Sequence, residues 1–207
     1  MPNRRSFVSF IGGTALFTAC ASGPAASGIF GGGPAQPLEF LDGTSGATVS
    51  AMDKPLLFAR NRRALAANLR SANLRDYVTM TAVSVNRGGK RDCLLIAYIW
   101  STLDARYEPA RPVADSLILI ADDRRIRLDS SGGAPADFGI NRAVGAPPGR
   151  TVKSLMCRTD LATFRFVAAA HSLQLQGNVG DDVVSYMLWD DQRKSLDRLV
   201  RVLDGER

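Results

Sequence analysis

The chain has 207 residues, of which 45% are hydrophobic and 22% are charged. This length and balance suit one folded domain with a real core, with or without a tail, and exclude a chain that is disordered throughout. The formal charge is +6, but no run of Lys and Arg reaches five residues. We therefore expect no nucleic acid as a partner, because such proteins cluster their basic residues.

The first residues have the order of an export signal. Arg4 and Arg5 precede an apolar run at 7–19, and small residues lead from that run to Cys20. The run is interrupted by two glycines and is shorter than the roughly 20 apolar residues that a membrane span needs. Residues 1–19 are therefore predicted to be a signal peptide.

Two motifs in this segment resemble known bacterial signals. The sequence Asn-Arg-Arg-Ser-Phe-Val is similar to the twin-arginine export motif, with Arg4, Arg5 and Phe7 at its defining positions. The sequence Phe-Thr-Ala-Cys is similar to a lipobox, in which small residues precede a cysteine that is acylated and becomes the first residue. Phe17 stands where that motif usually has Leu. On a tenth of its length, the chain thus resembles a bacterial exported lipoprotein.

This resemblance implies a lipid anchor and a location. Acyl chains such as palmitate on Cys20 would hold the protein at a membrane, and stable attachment takes more than one chain. The residue after Cys20 is Ala21 rather than Asp. In Gram-negative lipoproteins this implies sorting to the periplasmic face of the outer membrane. The inner membrane and the soluble periplasm are the alternatives.

Residues 20–37 read as the lipidated cysteine followed by a tether. Residues 21–37 are rich in Gly, Ala, Ser and Pro and carry few core-forming side chains, a composition typical of a flexible linker. Seventeen such residues have a typical reach of about 20–25 Å. The folded domain is expected over residues 38–207.

The folded part begins with β-rich sequence. Strands are predicted at 47–52 and 55–60, paired as a hairpin around Asp53-Lys54, and a helix is predicted at 63–75. Strands at 77–85 and 92–100 form a second hairpin around the turn at 86–90. The strand at 92–100 is apolar on both faces, which places it centrally in the sheet.

The second half continues the pattern. A hairpin is expected from strands at 116–121 and 125–128, with the second arm at an edge, followed by a long loop at 130–149. A strand at 152–157, a helix at 160–170 capped by Thr159 or Asp160, and strands at 172–176 and 183–189 come next. Residues 191–203 form an amphipathic terminal helix, because Leu196, Leu199, Val200 and Leu203 fall at helical spacing.

These elements predict the fold class. Hairpins in series with two or three helices, including the amphipathic C-terminal helix, favour a single α+β domain with a mainly antiparallel sheet. The sequence has no repeat and no βαβ alternation.

With Cys20 acylated, Cys93 and Cys157 remain as an even pair in an oxidising compartment. Both lie in predicted strands, where neighbouring cysteines can reach the roughly 5.5–6 Å Cα separation of a disulfide. Two buried free thiols are the alternative, and the twin-arginine route favours it, because its substrates typically fold in the reducing cytosol before export. The sequence leaves both readings open.

No catalytic or metal-binding constellation emerges from the remaining polar residues. His171 is the only histidine, so a zinc site or a nucleophile–histidine pair is not expected. The acidic pairs Asp122-Asp123, Asp181-Asp182 and Asp190-Asp191 fit turns and a helix start. The glycine-rich stretches lack a phosphate-binding spacing. We therefore expect no cofactor and no metal.

Aromatic residues and the long loop are the remaining candidates for binding. Tyr98, Trp100, Tyr107 and Trp189 suit core packing, with an apolar ligand groove as the alternative. The loop at 130–149 is a candidate partner-facing element, because long irregular loops are often functional.

The sequence thus predicts a membrane-anchored envelope lipoprotein that acts as a non-catalytic binding or assembly module for an envelope protein or polymer. Two alternatives stay open. One is an envelope hydrolase with a carboxylate-based site, and the other is a carrier of a small apolar ligand.

Overall fold

A computed structural model of the chain describes residues 36–61, 75–102, 113–147, 151–179 and 181–205. They form mostly antiparallel strands, with two helices. The elements, in chain order, are β1 (Leu38–Leu41), β2 (Thr48–Ala51), β3 (Leu56–Asn61), β4 (Arg75–Arg87), β5 (Lys90–Ser101), β6 (Val113–Ala121), β7 (Arg124–Asp129), a short 3₁₀ helix (Pro135–Phe138), β8 (Thr151–Thr159), α1 (Leu161–Ala169), β9 (Leu173–Val179), β10 (Asp182–Asp190) and α2 (Arg193–Asp204).

All ten strands of the described residues belong to one sheet, with β4 at its branch point. β5 pairs with one edge of β4, and the other edge is shared end to end by β2 and β3. From β3 the sheet continues through β10, β9, β6 and β7, while β1 extends it beyond β2 and β8 beyond β5. Every pairing is antiparallel.

The sheet curls into a half-barrel, which brings β8 close to the β6–β7 hairpin. Ser131, just after β7, donates its backbone N–H to the carbonyl of Met156 on β8 at 2.7 Å. Asp115 on β6 forms an ion pair of 2.7 Å with Lys153 on β8. These contacts join β8, which pairs only with β5, to the hairpin that lies beyond β9 in the pairing order.

The main core lies between the inner face of this half-barrel and the two helices. Phe164 and Val167 of α1 and the apolar stripe of α2 are buried against inner-face side chains of the sheet. α1 begins at Asp160, whose side chain accepts the backbone N–H of Thr163 at 2.7 Å. Helical spacing therefore buries one face of each helix. Neither described helix has the length and apolar character of a membrane-crossing helix.

A polar contact fixes α2 to the β2–β3 connection. The hydroxyl of Ser195 donates to the carboxylate of Asp53 at 2.5 Å, and Arg198 donates to the same oxygen at 2.9 Å. Burial would raise the pKa of Asp53, but these hydrogen bonds outweigh it and lower the pKa below its ordinary value. The carboxylate is therefore charged in the folded protein at neutral pH.

A second, smaller core covers part of the outer face of the sheet. Outward side chains of β2, β4, β5 and β8 pack there against Ile140 and Val144 of the loop that follows β7. The strand at 92–100 is thus buried on both faces, and it lies between β4 and β8 as predicted.

Most predicted elements are confirmed, and one pairing is wrong. The hairpins β4–β5, β6–β7 and β9–β10, the edge position of β7 and both described helices agree with the sequence. The strands at 47–52 and 55–60 do not form a hairpin. β4 has 13 residues, while β2 has four and β3 has six, so both pair with β4 one after the other. The predicted helix at 63–75 lies outside the described residues, except for Arg75, which begins β4.

Candidate functional site

The residues that carry the lipoprotein resemblance lie outside the described part of the chain. These are Arg4, Arg5, Phe7 and Cys20. Lipidation and export therefore stay predictions. Tyr107 is also outside the described residues.

The two remaining cysteines lie close together as buried free thiols. Cys93 on β5 faces Thr159, and Cys157 on β8 faces Leu95, so the cysteines are diagonal neighbours on the inner face. Burial raises the pKa of both thiols, that of Cys157 to about 11. Because the thiolate is the nucleophile, neither is activated for catalysis at neutral pH. A disulfide between them stays a prediction.

The acidic pairs lie in three separate places. Asp122, at the β6–β7 turn, accepts the backbone N–H groups of Ser172 and His171 at 2.9 Å each. The bond from Ser172 does most to lower the pKa of Asp122. Asp191 accepts the backbone N–H of Arg193 at the start of α2. Within the described residues, no group of three His, Cys, Asp or Glu is arranged to hold a metal ion.

An open pocket of about 300 Å³ lies beside the first turn of α1. Its two arginines are already engaged: Arg158 pairs with Asp92 at 3.4 Å, and Arg91 donates to the carbonyl of Leu203 at 2.8 Å. The pocket residue Asp160 is the N-cap of α1. These polar groups therefore serve the fold.

The loop after β7 packs down on the sheet instead of standing free. Tyr98 donates its hydroxyl to the carbonyl of Val144 at 3.1 Å, and Ile140 and Val144 are buried. Asp42, before β2, accepts both the backbone and the side-chain N–H of Asn141 at 2.8 Å. These contacts make the loop a cover for the second core. Tyr98 belongs to that core, which agrees with its predicted packing role.

The most distinctive surface is on the outer face of the sheet, beyond the area that this loop covers. We call it the outer apolar face. Its apolar side chains come from five strands and are half-buried or exposed. They are Leu57, Tyr77, Trp100, Ile118, Ile120, Val183, Met187 and Trp189.

The strand register explains how these residues come together. One row runs across the sheet from Ile120 on β6 through Gln174, Met187, Ala59 and Tyr77 to Trp100 on β5, each residue facing the next on its neighbouring strand. Side chains of one such row stand on one face of a sheet. Strands distant in sequence thus contribute to a single surface.

Three residues of β10 stand out from this surface. Val183, Met187 and Trp189 are 71%, 61% and 57% exposed. Their inward neighbours, including Val184 and Tyr186, are buried in the main core. β10 is therefore apolar on both faces, but only one face is covered.

Trp189 is held in a defined position. The register between β10 and β3 shifts between Leu188 and Asp190, and such a bulge redirects a side chain. The guanidinium of Arg75 lies over the indole ring of Trp189, 4.0 Å from its centre. A stacked cation restrains the ring and keeps its other face available.

The far end of the row is also ordered. The rings of Tyr77 and Trp100 stack with centres 4.4 Å apart and an interplanar angle of 17°. Trp100 donates its indole N–H to the hydroxyl of Thr79 at 2.9 Å. The aromatic side chains on this face are thus rigid.

The chain was compared with protein-family models, with curated proteins and with solved structures, and none of them matches it.

The sequence predicted core packing for Trp189, with a ligand groove as the alternative, and the core prediction is wrong because this side chain is 57% exposed. The sequence analysis did not single out Val183 or Met187. One signal was present: the segment Val-Val-Ser-Tyr-Met-Leu-Trp is apolar at both odd and even positions. That pattern indicates burial on both faces. Only the strand order reveals that one face of β10 is open.

Proposed function

We propose that this protein is a lipid-anchored protein of the bacterial cell envelope and that its folded part, of the α+β class, is a non-catalytic binding module. Its binding surface is the outer apolar face. The observation that carries this proposal is the exposure of Val183, Met187 and Trp189 along one face of β10, with Ser185 between the first two. Exposed apolar side chains in one contiguous group mark interaction sites more often than isolated ones do.

The rigidity of this face supports a binding role. A sheet surface loses little conformational freedom on binding, and a ring already held by a cation loses still less. Arg75 holds the ring of Trp189 in this way. The hydrogen bond to Thr79 restrains the ring of Trp100. Tryptophan and arginine are also the residues that dominate binding energy at interfaces.

The arrangement of acidic residues gives less support to an envelope hydrolase. Such a site needs two carboxylates facing one substrate bond from different elements. The described aspartates with lowered pKa are instead bound to nearby backbone groups or paired with arginines, as Asp122 and Asp191 are. The binding reading is therefore preferred.

Photocross-linking in cells tests the binding surface. A photoreactive phenylalanine analogue at Met187 is expected to form covalent adducts, because this side chain is exposed within the face. The matched control is the same analogue at Lys194, which is exposed on α2 and does not belong to the outer apolar face. Equal adduct yields at the two positions, or none at Met187, would contradict the proposed surface.

A separate experiment tests the anchor. Cys20→Ser should move the protein out of the detergent-free membrane fraction, because it removes the acylated residue. If the variant stays with the membrane as the wild type does, Cys20 does not carry the anchor.

A further inference from the structure

We infer that the outer apolar face rests on the lipid surface of the membrane to which the chain is anchored, with Trp189 at the lipid–water interface. This inference deepens the proposed function and rests on its lipid anchor. It names the lipid bilayer, rather than a second protein, as the partner of this face.

The chemistry of the face fits a bilayer interface. Trp189 combines an apolar ring with an indole N–H, and Arg75 lies against it. Tryptophan with neighbouring arginine is the pattern found at membrane interfaces, where the ring sits at headgroup level. Met187 and Val183 add flexible and branched apolar groups that can enter the acyl boundary.

Charge on the face is compatible with contact to lipid. The row from Ile120 to Trp100 holds no carboxylate. Acidic side chains stand at its margins: Asp129 is paired with Arg127 at 2.7 Å, and Asp190 accepts from Gln192 at 2.8 Å. No carboxylate of the row itself would thus be pushed into the apolar region, and Asp181, exposed near Val183, lies before the start of β10 rather than within the row.

The shape of the face favours lipid over a protein partner. It lies on the outer, convex side of a curled sheet, whereas the open pocket lies beside α1. Protein hot spots usually insert an anchoring side chain into a pocket of the partner surface. A bilayer needs no such pocket, because acyl chains adapt to the side chains that enter them.

The predicted tether keeps the face close to the membrane. Its typical reach is about 20–25 Å, while a domain of this size has a radius of gyration of roughly 15 Å. A compact domain is more than twice as wide as its radius of gyration, so the tether is shorter than the domain is wide. Short flexible linkers give effective concentrations in the millimolar range, so a patch too small to recruit a free protein can still occupy the membrane.

The chain offers a direct test, because it has only two tryptophans. Trp100→Phe leaves Trp189 as the only indole, and the same variant combined with Cys20→Ser, which has no anchor, is the matched control. Each full-length protein is mixed with phosphatidylethanolamine–phosphatidylglycerol vesicles with or without brominated acyl chains. Brominated lipid should remove about half of the emission of Trp189, since interfacial indoles lie beside the acyl boundary. The control should lose much less.

Two further measurements make each outcome decisive. Met187→Cys, labelled with a polarity-sensitive fluorophore, keeps both tryptophans if Trp100→Phe fails to fold. Cys93 and Cys157 are buried and should not react. A blue shift on reconstitution supports the inference. If aqueous iodide quenches the emission of Trp189 equally with and without vesicles, the inferred membrane contact is overturned. The face would then remain for a protein partner.

Intact mass separates this failure from failure of the proposed function. A chain that carries acyl groups and floats with vesicles, but keeps Trp189 in water, refutes only the membrane contact. A chain without acyl groups that does not float refutes the anchor, and the tethering on which the contact depends is refuted with it.

Discussion

Gly145 reports whether the loop after β7 is fixed to the sheet. Its φ is +62°, and a Cβ atom built at this position would lie 1.8 Å from the hydroxyl oxygen of Thr81 on β4. Gly145→Ala should therefore lower the free energy of unfolding for two reasons. An alanine in left-handed backbone costs about 1–2 kcal/mol, and forcing a methyl group into packed structure costs about 1–3 kcal/mol more.

A glycine in the same loop provides the control. Gly132 has a φ of +69°, but a Cβ there has no neighbour within 4 Å. Gly132→Ala should therefore lower the free energy of unfolding only by the cost of left-handed backbone, about 1–2 kcal/mol. The two variants differ by the contact with Thr81, about 1–3 kcal/mol.

Urea unfolding and thermal melting measure this difference. In a domain of this size, each kcal/mol lowers the Tm by about 2–4 °C. We expect Gly145→Ala to have the lower midpoint in both assays, with unchanged cooperativity. If the two variants are equally stable, Gly145 does not lie over Thr81, and the account of the loop as a cover for the second core is refuted.

Three other predictions concern the core and its polar contacts. Phe164→Ala should cost about 3–5 kcal/mol in urea unfolding, because this ring is fully buried between α1 and the sheet. A cost near zero would contradict that packing. Thr79→Val should cost about 1–2 kcal/mol, because it leaves the indole N–H of Trp100 without its acceptor; an unchanged urea midpoint would show that the bond is not formed. The folded-state pKa of Asp53 is lowered, so its contribution is present above the unfolded value of about 3.9 and is lost as the pH falls through the folded value. The wild type should therefore lose stability between about pH 5 and pH 2 more steeply than Asp53→Asn, and parallel curves would refute this role.

Local pattern predicted most strands and both described helices. Alternation located β4, a continuous apolar run located β5, and helical spacing placed Leu196 and Leu199 on the buried face of α2. These features depend on neighbours in sequence, so the sequence alone reveals them. The predicted capping role of Asp160 is confirmed for the same reason.

Pairing between distant segments could not be read in the same way. The hairpin expected around Asp53-Lys54 looked local, but β2 and β3 instead share the long edge of β4. The exposed face of β10 depends on which strands flank it and on where the helices lie. Trp189 is a large apolar residue of the kind expected in a core, and only the strand order of the sheet places it at the surface.

The intact mass of the mature protein, purified from the membrane fraction, tests the central claim most directly. The account predicts a chain that begins at Cys20, lacks residues 1–19 and carries the added mass of several acyl groups. A membrane-bound protein with an unmodified Cys20, or one that retains residues 1–19, would contradict it.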